Sequence, residues 1–319
     1  MIHKTIIKIG TFIGKIISKL LYYNMLFRLY NFIYEHSSWF VIRLFVKFIE
    51  LPDKDNKWYV FLPNGKKVIT KIVQGNLKTR QFALSYKWHS PSINFTEELI
   101  NNYYTNDISW IDIGANLGLR SLLPLSGKRP VYFIEPNDEL NKINRERCKL
   151  NGFNNYSFME FGASDKAGEI EFFIDESSYC SSIEQTNLKQ NSIEKIEIIK
   201  IETIDRLFAE QINIWKTAYI KMDVEGHELK VLDGAKQLIS KLAPTMLIEV
   251  SEKGSHFLTF FEKMRKFGYT IYEIRRFCSS RFFRKVNAQT DVSENPIKSN
   301  DFLCVKDLDL IGIIEKHTV

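Results

Sequence analysis

The sequence predicts an α/β protein built on a mostly parallel sheet with helices on both faces. Three observations predict it. From Ser109 onward, short β-rich runs alternate with helical stretches. The first run closes on a glycine-bearing turn, "IDIGANLG", where a helix should begin. Acids end later runs, Glu135 in "VYFIEP", Asp165 after "YSFMEFGAS" and Asp223 in "AYIKMDVEG", and strand exits are where open α/β sheets bind ligands.

The 319 residues, 45% hydrophobic and 26% charged, allow one large domain or a domain with an appendage. We divide the chain at 1–56, 57–107 and 108–319. In the first segment Lys4, Lys8, Lys15 and Lys19 fall within an arc of about 60° at roughly 100° per residue. The rest of that surface is Ile, Leu, Phe and Tyr, so the segment reads as a basic amphipathic helix. A second helix should follow, capped near Ser37 or Ser38. No uncharged stretch reaches the roughly 18 residues of a membrane span, and the lysines interrupt any signal-peptide core. Residues 1–50 therefore either lie on an anionic membrane surface or pack on the main domain with a solvated lysine face.

"WYVFLPNGKKVITKIV" reads as a hairpin turning at Pro63-Asn64-Gly65. "NFTEELINNYYTND" should form a helix with Thr96 as its N-cap. The regular region then supplies "SWIDIG", "VYFIEP", "YSFMEFGAS", "AYIKMDVEG", "TMLIEV", "YTIYEI" and "DFLCV" as strands. "PNDELNKINRERCKLNG", with Asp138 and Glu139 as caps, and "GHELKVLDGAKQLISKLA" are the clearest helices between them. An insert from Gly168 to Phe208 adds β segments and a polar loop around Asn187 to Asn191.

Four scattered cysteines, Cys148, Cys180, Cys278 and Cys304, have no metal-ligand or disulfide spacing and suit a reducing compartment. A cytoplasmic location is expected, with residues 1–50 as a peripheral contact on the inner membrane face. "RRFCSSRFFRK" interleaves arginine with phenylalanine and could grip an acidic saccharide, a lipid-linked phosphate or a membrane. The charge balance of +6 is mild, and no nucleic-acid partner is expected.

At the first strand exit Asp112, Gly114, Ala115, Asn116 and Gly118 stand together. Glycines there let backbone approach a ligand, and a helix N-terminus offers free N–H groups. The spacing is G-x-x-x-G, not the G-x-G-x-x-G of a dinucleotide cradle. Glu135 is placed to bind ribose hydroxyls and Asp165 to meet an adenine amino group.

These motifs, with "IEPN", "GASD", "IKMDVEGHELKVLDGA" and "LIEV", resemble the FkbM family of S-adenosylmethionine-dependent methyltransferases from about Ser109 to Val305. The resemblance implies a Rossmann-like class I methyltransferase fold, S-adenosyl-L-methionine as cofactor, and O-methylation of a sugar, glycan or related natural product, as in polysaccharide biosynthesis. It would put Gly114, Asn116 and Gly118 along the methionine part, Glu135 at the ribose and Asp165 at the adenine. Leu119 and Arg120 replace an aromatic that the family often carries after the glycine turn.

Asp223, Glu225, His227 and Glu228 cluster at the fourth core strand exit, and Glu249 ends the next strand. Methyl transfer is an in-line displacement in which a positioned base would help a poorly nucleophilic hydroxyl. Asp223, His227 and Glu249 are the candidates; His227 has the ordinary pKa nearest neutrality, about 6.5, while Asp223 is nearest the expected sulfonium. Glu225 and Gly226 would shape the turn. Asp223 and Glu249 could hold Mg²⁺, but no third ligand is evident, and no metal is expected. His89 and His256 are loop residues within reach of an acceptor pocket. Two other functions are consistent with the fold: an NAD(P)-dependent sugar oxidoreductase or epimerase, which lacks its phosphate fingerprint and Tyr-x-x-x-Lys pair here, and a non-catalytic membrane-associated protein.

Overall fold

The computed structural model describes residues 57–62, 64–71, 91–104, 108–175, 181–184, 193–250, 255–275, 282–286 and 297–318. The N-terminal helices with their Ser37/Ser38 cap, Pro63, His89, Cys180, Cys278, the 187–191 loop and residues 276–281 of the arginine–phenylalanine segment lie outside these residues. His256 falls in a helix, but its side chain is likewise outside the description.

The chain divides into two units, Met1–His89 and Ser90–Val319. The first contributes one described feature, an antiparallel hairpin of β1 (Lys57–Phe61) and β2 (Lys67–Lys71) with Phe61 opposite Lys67. Its turn works as the sequence indicates: Gly65 takes φ +76°, and the Asn64 side chain accepts from the Lys66 amide at 3.1 Å.

The second unit opens with α1 (Pro91–Tyr103). This helix starts five residues before the expected cap. Pro91 takes the first position, where its missing N–H costs nothing, and Thr96 sits inside, its hydroxyl donating back to the Ser92 carbonyl at 2.7 Å. There follow β3 (Ser109–Ile113), α2 (Leu122–Ser126), β4 (Val131–Ile134), α3 (Asp138–Leu150), β5 (Tyr156–Met159), β6 (Gly162–Ala163), β7 (Gly168–Asp175) and β8 (Ile193–Glu202). The rest is α4 (Ile204–Leu207), β9 (Ala218–Met222), α5 (Glu228–Asp233), α6 (Lys236–Leu242), β10 (Thr245–Glu249), α7 (Ser255–Lys266), β11 (Thr270–Ile274), β12 (Phe283–Lys285), β13 (Asp301–Val305) and α8 (Leu308–Glu315).

Eight strands form one sheet in the order β12-β11-β13-β10-β9-β3-β4-β5. Pairings from β5 through β10 are parallel, and β13 runs antiparallel to both β10 and β11. The chain steps outward from β3 through β4 to β5 and then returns to lay β9 against the other side of β3. That reversal opens a crevice at the carboxyl ends of β3 and β9.

Strand periodicity sorts the core. Ile111, Ile113, Ile220, Met222, Met246 and Ile248 point to one face, under Leu238 and Ile239 of α6 and Phe260 of α7. Trp110, Tyr219, Leu247, Tyr272 and Leu303 point to the other, under Ile100 of α1 and Leu310 and Ile314 of α8. All are buried, which is what continuous apolar strands in a doubly covered sheet require.

Three local departures from the expected elements have physical reasons. The run "YSFMEFGAS" splits, with β5 in the main sheet and β6 pairing β8 in a separate three-stranded sheet, β6-β8-β7, made by the insert. Asn137, not Asp138 or Glu139, caps α3, its Oδ1 accepting from the amides of Glu139 and Leu140. The stretch after Gly226 breaks into α5 and α6 at Gly234, where a Cβ would lie 2.0 Å from the Ser164 carbonyl oxygen. The Asp205 carboxylate then caps α6 by accepting from the Gln237 and Leu238 amides, both at 2.9 Å.

Candidate active site

At the crevice a cleft of about 580 Å³, open to solvent, is lined by Gly114 and Asn116 after β3 and by Ile134, Glu135 and Pro136 after β4. Asp223, Val224 and Glu225 follow β9. Phe161, Gly162, Ala163, Phe172 and Ile183 supply an apolar wall from the small sheet and its neighbour segment. Thus Gly114, Asn116, Glu135 and Asp223 meet in one hollow.

The turn after β3 is shaped for close approach. Gly114 adopts φ +69°, and a Cβ there would sit 1.9 Å from the Asp223 carbonyl oxygen, so β3 and β9 exits touch only because the side chain is missing. Asn116 also lies in the left-handed region, at φ +49°. Its amide donates to Glu135 Oε2 at 2.8 Å, while Glu135 Oε1 accepts from the Asn137 amide at 2.9 Å. Burial pushes the Glu135 carboxyl up to about 7, against the pull of those two amides.

Helix α3 braces this turn with a buried polar face that the sequence reading missed. Asn141 Nδ2 donates to the Glu135 carbonyl and Asn144 Nδ2 to the Asn116 carbonyl, both at 2.7 Å; Arg147 Nη1 donates to the Leu117 carbonyl at 2.5 Å. Asn141, Asn144 and Arg147 recur every third residue, and that spacing was the available signal. Gly118 packs against Asn144 and Phe133 beneath the turn, and Ala115 is buried with its amide on Ile134; neither lines the cleft.

Asp112, which the sequence assigns to the cofactor, stands behind the cleft and outside its lining. It is fully buried, accepts from Ser121 Oγ at 2.7 Å, and its Oδ1 has no hydrogen-bond donor. That oxygen faces Lys221 Nζ at 3.7 Å, and burial raises the Asp112 carboxyl against the pull of Lys221 and Ser121. Lys221 was also missed. It breaks the apolar run of β9 directly across from Asp112 in the ladder, so the two charges share one face. Its ammonium donates to the Gly114 carbonyl and to Asp223 Oδ2, each at 3.2 Å. Burial acts to lower the lysine, but Asp223 and Asp112 outweigh it and hold the group above its ordinary value.

Arg120, where the aromatic was expected, is buried and bonds Asn94 at 2.6 Å and Glu97 at 3.3 Å, tying the turn to α1. Burial still takes Glu97 up to about 7. Glu225 adopts φ +52° and Gly226 φ +102° in the turn after β9, and Gly226 N donates to Glu228 Oε1 at 2.9 Å. Burial raises Glu228 to about 7 as well.

His227, a candidate base in the sequence, lies outside the cleft lining. Its ring is 1% exposed, with Nδ1 2.8 Å from Glu184 Oε1 and Nε2 2.9 Å from Ser164 Oγ. Burial lowers its pKa, the Glu184 hydrogen bond opposing and Lys230 assisting. Asp165 lies exposed beyond β6, 3.1 Å from Ser164 Oγ and outside the cleft lining. Glu249 pairs across from Asp301 at the end of β10, one strand further from the crevice, and is also outside the lining. Among the described residues no group of three His, Cys, Asp or Glu is placed to hold a metal ion. Cys148 and Cys304 are buried thiols.

A parallel sheet that reverses between β3 and β9, a glycine turn braced against β9 and an acid at the second strand exit define a Rossmann-like domain of the class I methyltransferase type. The model of the methyltransferase FkbM domain matches residues 112–271, just over half of the chain. The chain belongs to the FkbM methyltransferase family.

It is 26% identical over 141 residues to the hexuronic acid methyltransferase AglP of Haloferax volcanii, covering 43% of this chain and 53% of that protein. The chain thus spans about half the length of this curated relative. Among solved structures, the FkbM methyltransferase of Methylobacillus flagellatus is similar at 17% identity and TM-score 0.41, covering 74% of this chain and 56% of that one. A SAM-dependent methyltransferase of Agrobacterium tumefaciens is similar at 8% identity and TM-score 0.42, covering 81% and 72%.

Proposed function

We propose that this protein transfers a methyl group from S-adenosyl-L-methionine to a hydroxyl of a sugar, glycan or related acceptor. The observation that carries the reading is Glu135, a buried carboxylate held by two backbone amides at the crevice. The donor set fits the cofactor. A carboxylate suits a ribose diol, the slot of Phe161, Ala163, Phe172 and Ile183 suits an adenine ring, and the bare Gly114 turn leaves room for the methionine part. Asp165 would meet the adenine amino group from the rim. When bound, the cofactor supplies a methyl carbon activated by a sulfonium.

The chain's own work is placement. The turns after β3 and β9, pinned together by Lys221, hold the cleft walls at fixed separation, which is where most of an in-line transfer's rate comes from. Asp223, aligned by the Lys221 ammonium, would take the acceptor hydroxyl proton as the C–O bond forms and the S–CH₃ bond breaks, the thioether S-adenosylhomocysteine leaving. Binding should be tested by calorimetry with S-adenosylhomocysteine and the full chain. Glu135→Ala should weaken it at least about tenfold, the usual cost of losing hydrogen bonds to a charged group. No binding to the wild type would reject the reading.

The name of the archaeal relative supports a uronic-acid-containing acceptor. Hexuronate oligosaccharides incubated with methyl-labelled cofactor should acquire alkali-stable ether label; alkali-labile label would mean that a carboxylate, not a hydroxyl, is methylated. The reaction is taken to occur in the cytoplasm, with the basic stripe of residues 1–50 supporting contact with the inner membrane face. No described helix is long and apolar enough to cross a membrane. Anionic liposomes should float the full chain and fail to float one lacking residues 1–50.

A further inference from the structure

Ser164, His227 and Glu184 stand in the order hydroxyl, imidazole, carboxylate, with separations of 2.9 and 2.8 Å. The same order activates a nucleophilic serine in hydrolases. Here the serine is 1% exposed, so no acyl group can reach it. The trio therefore does something else, and its neighbours show what.

Residues Ser181–Glu184 cross one side of the cleft, with Ser181 and Ile183 in its lining. Ser182 exchanges both backbone hydrogen bonds with Phe173, at 2.9 and 3.0 Å, and its hydroxyl donates to the Glu225 carbonyl at 2.9 Å. The Glu184 amide donates to Ser182 Oγ at 2.9 Å. The segment is further held by Ile183, packed on Phe172, Ile199 and Ile201, and by Glu184 bonded to His227, with Lys230 Nζ 3.6 Å from the same oxygen.

Proton counting limits how His227 works. A neutral ring with its proton on Nδ1 donates to Glu184 and can accept the Ser164 proton at Nε2. Ser164 has one proton to give, and Asp165 Oδ1, 3.1 Å from its hydroxyl oxygen, competes with His227 for it. A doubly protonated ring would instead turn the Ser164 hydroxyl onto Asp165. The groups facing the ring are Glu184, Lys230, Asp165 and Ser164, and burial favours the neutral form.

We propose that His227 is a positioning residue for the cofactor: it clasps the Ser181–Glu184 wall of the cleft to the β6 exit through Ser164 and Glu184. This rests on the functional reading above. The clasp sets how long the nucleoside stays, not how fast it arrives.

Stopped-flow or surface plasmon resonance with S-adenosylhomocysteine tests this on the full chain. His227→Gln and Glu184→Gln should each speed release about tenfold or more, the worth of one charge-assisted hydrogen bond, with association within about twofold. The double variant should release no faster than the quicker single variant, because both remove one tie. A merely structural histidine would lower the melting temperature without that coupling. Should His227→Gln fail to fold, Glu184→Gln reads the same tie from a side chain one-third exposed. Release rates equal to wild type in a folded Glu184→Gln variant would overturn the proposal while leaving the cofactor reading intact. Failure of the wild type to bind S-adenosylhomocysteine would remove both.

Discussion

Glu135 combines burial with a proposed role at the ribose that needs charge. A carboxylate accepts from ribose hydroxyls, whereas its protonated form must give up one acceptor position. With the carboxyl pushed up to about 7, affinity for S-adenosylhomocysteine should rise as pH goes from 6 to 8. In Glu135→Gln the profile should flatten; a wild-type profile already flat would show that Glu135 does not touch the ligand. Lys221 supports a second prediction. Lys221→Met leaves Asp112 buried without its counter-charge and should cost about 3 kcal/mol in urea denaturation, the typical penalty for breaking a buried pair from one side. Individual residues were legible in the sequence where they end strands: Gly114, Asn116, Glu135 and Asp223 meet in the cleft as their positions implied. Asp112 and Lys221 were not, because their meaning comes from the β3–β9 register, which a linear string does not print. The burial of the His227 ring was illegible for a related reason, since an ordinary pKa says nothing about which way a ring points.

Elements were legible to the extent that periodicity decides them. The parallel strands follow from buried apolar runs, and the hairpin from its Asn-Gly turn. The junction of α5 and α6 did not follow, because it is dictated by a neighbour: Gly234 must leave room for the Ser164 carbonyl, and Asp205 must supply the cap. Asp205→Ala should destabilise by about 1 kcal/mol, the usual worth of a helix cap. Gly234→Ala should cost more, because a Cβ 2.0 Å from a backbone oxygen forces main chain to move. Thermal melts of the two variants would check the ranking, and equal midpoints would contradict it. The start of α1 shows the converse error, a good capping residue at Thr96 outweighed by a proline at the better position.

At the scale of the molecule, three buried carboxyls among the described residues, Glu97, Glu135 and Glu228, sit near 7 in the folded chain against an ordinary 4.5. The folded state then binds more protons than the unfolded one between those values. Their contribution is fully present below about 4.5 and is lost as pH rises through about 7. His227, lowered by burial, acts the other way and costs stability as pH falls below its ordinary value. Asp112, also raised by burial, acts in the same direction as the three, so urea midpoints should be higher at pH 6 than at pH 8, and the gap should narrow in Glu97→Gln and Glu228→Gln. A larger midpoint at pH 8 would refute the balance.

The small sheet β6-β8-β7 shares no ladder with the eight-stranded one, yet the segment bridged to β7 forms one side of the cleft. One wall of the cleft is thereby built apart from the main ladder. Grafting a different hairpin between Ala163 and Thr203 would exchange one boundary of the binding space while every rung of the main sheet stayed in place.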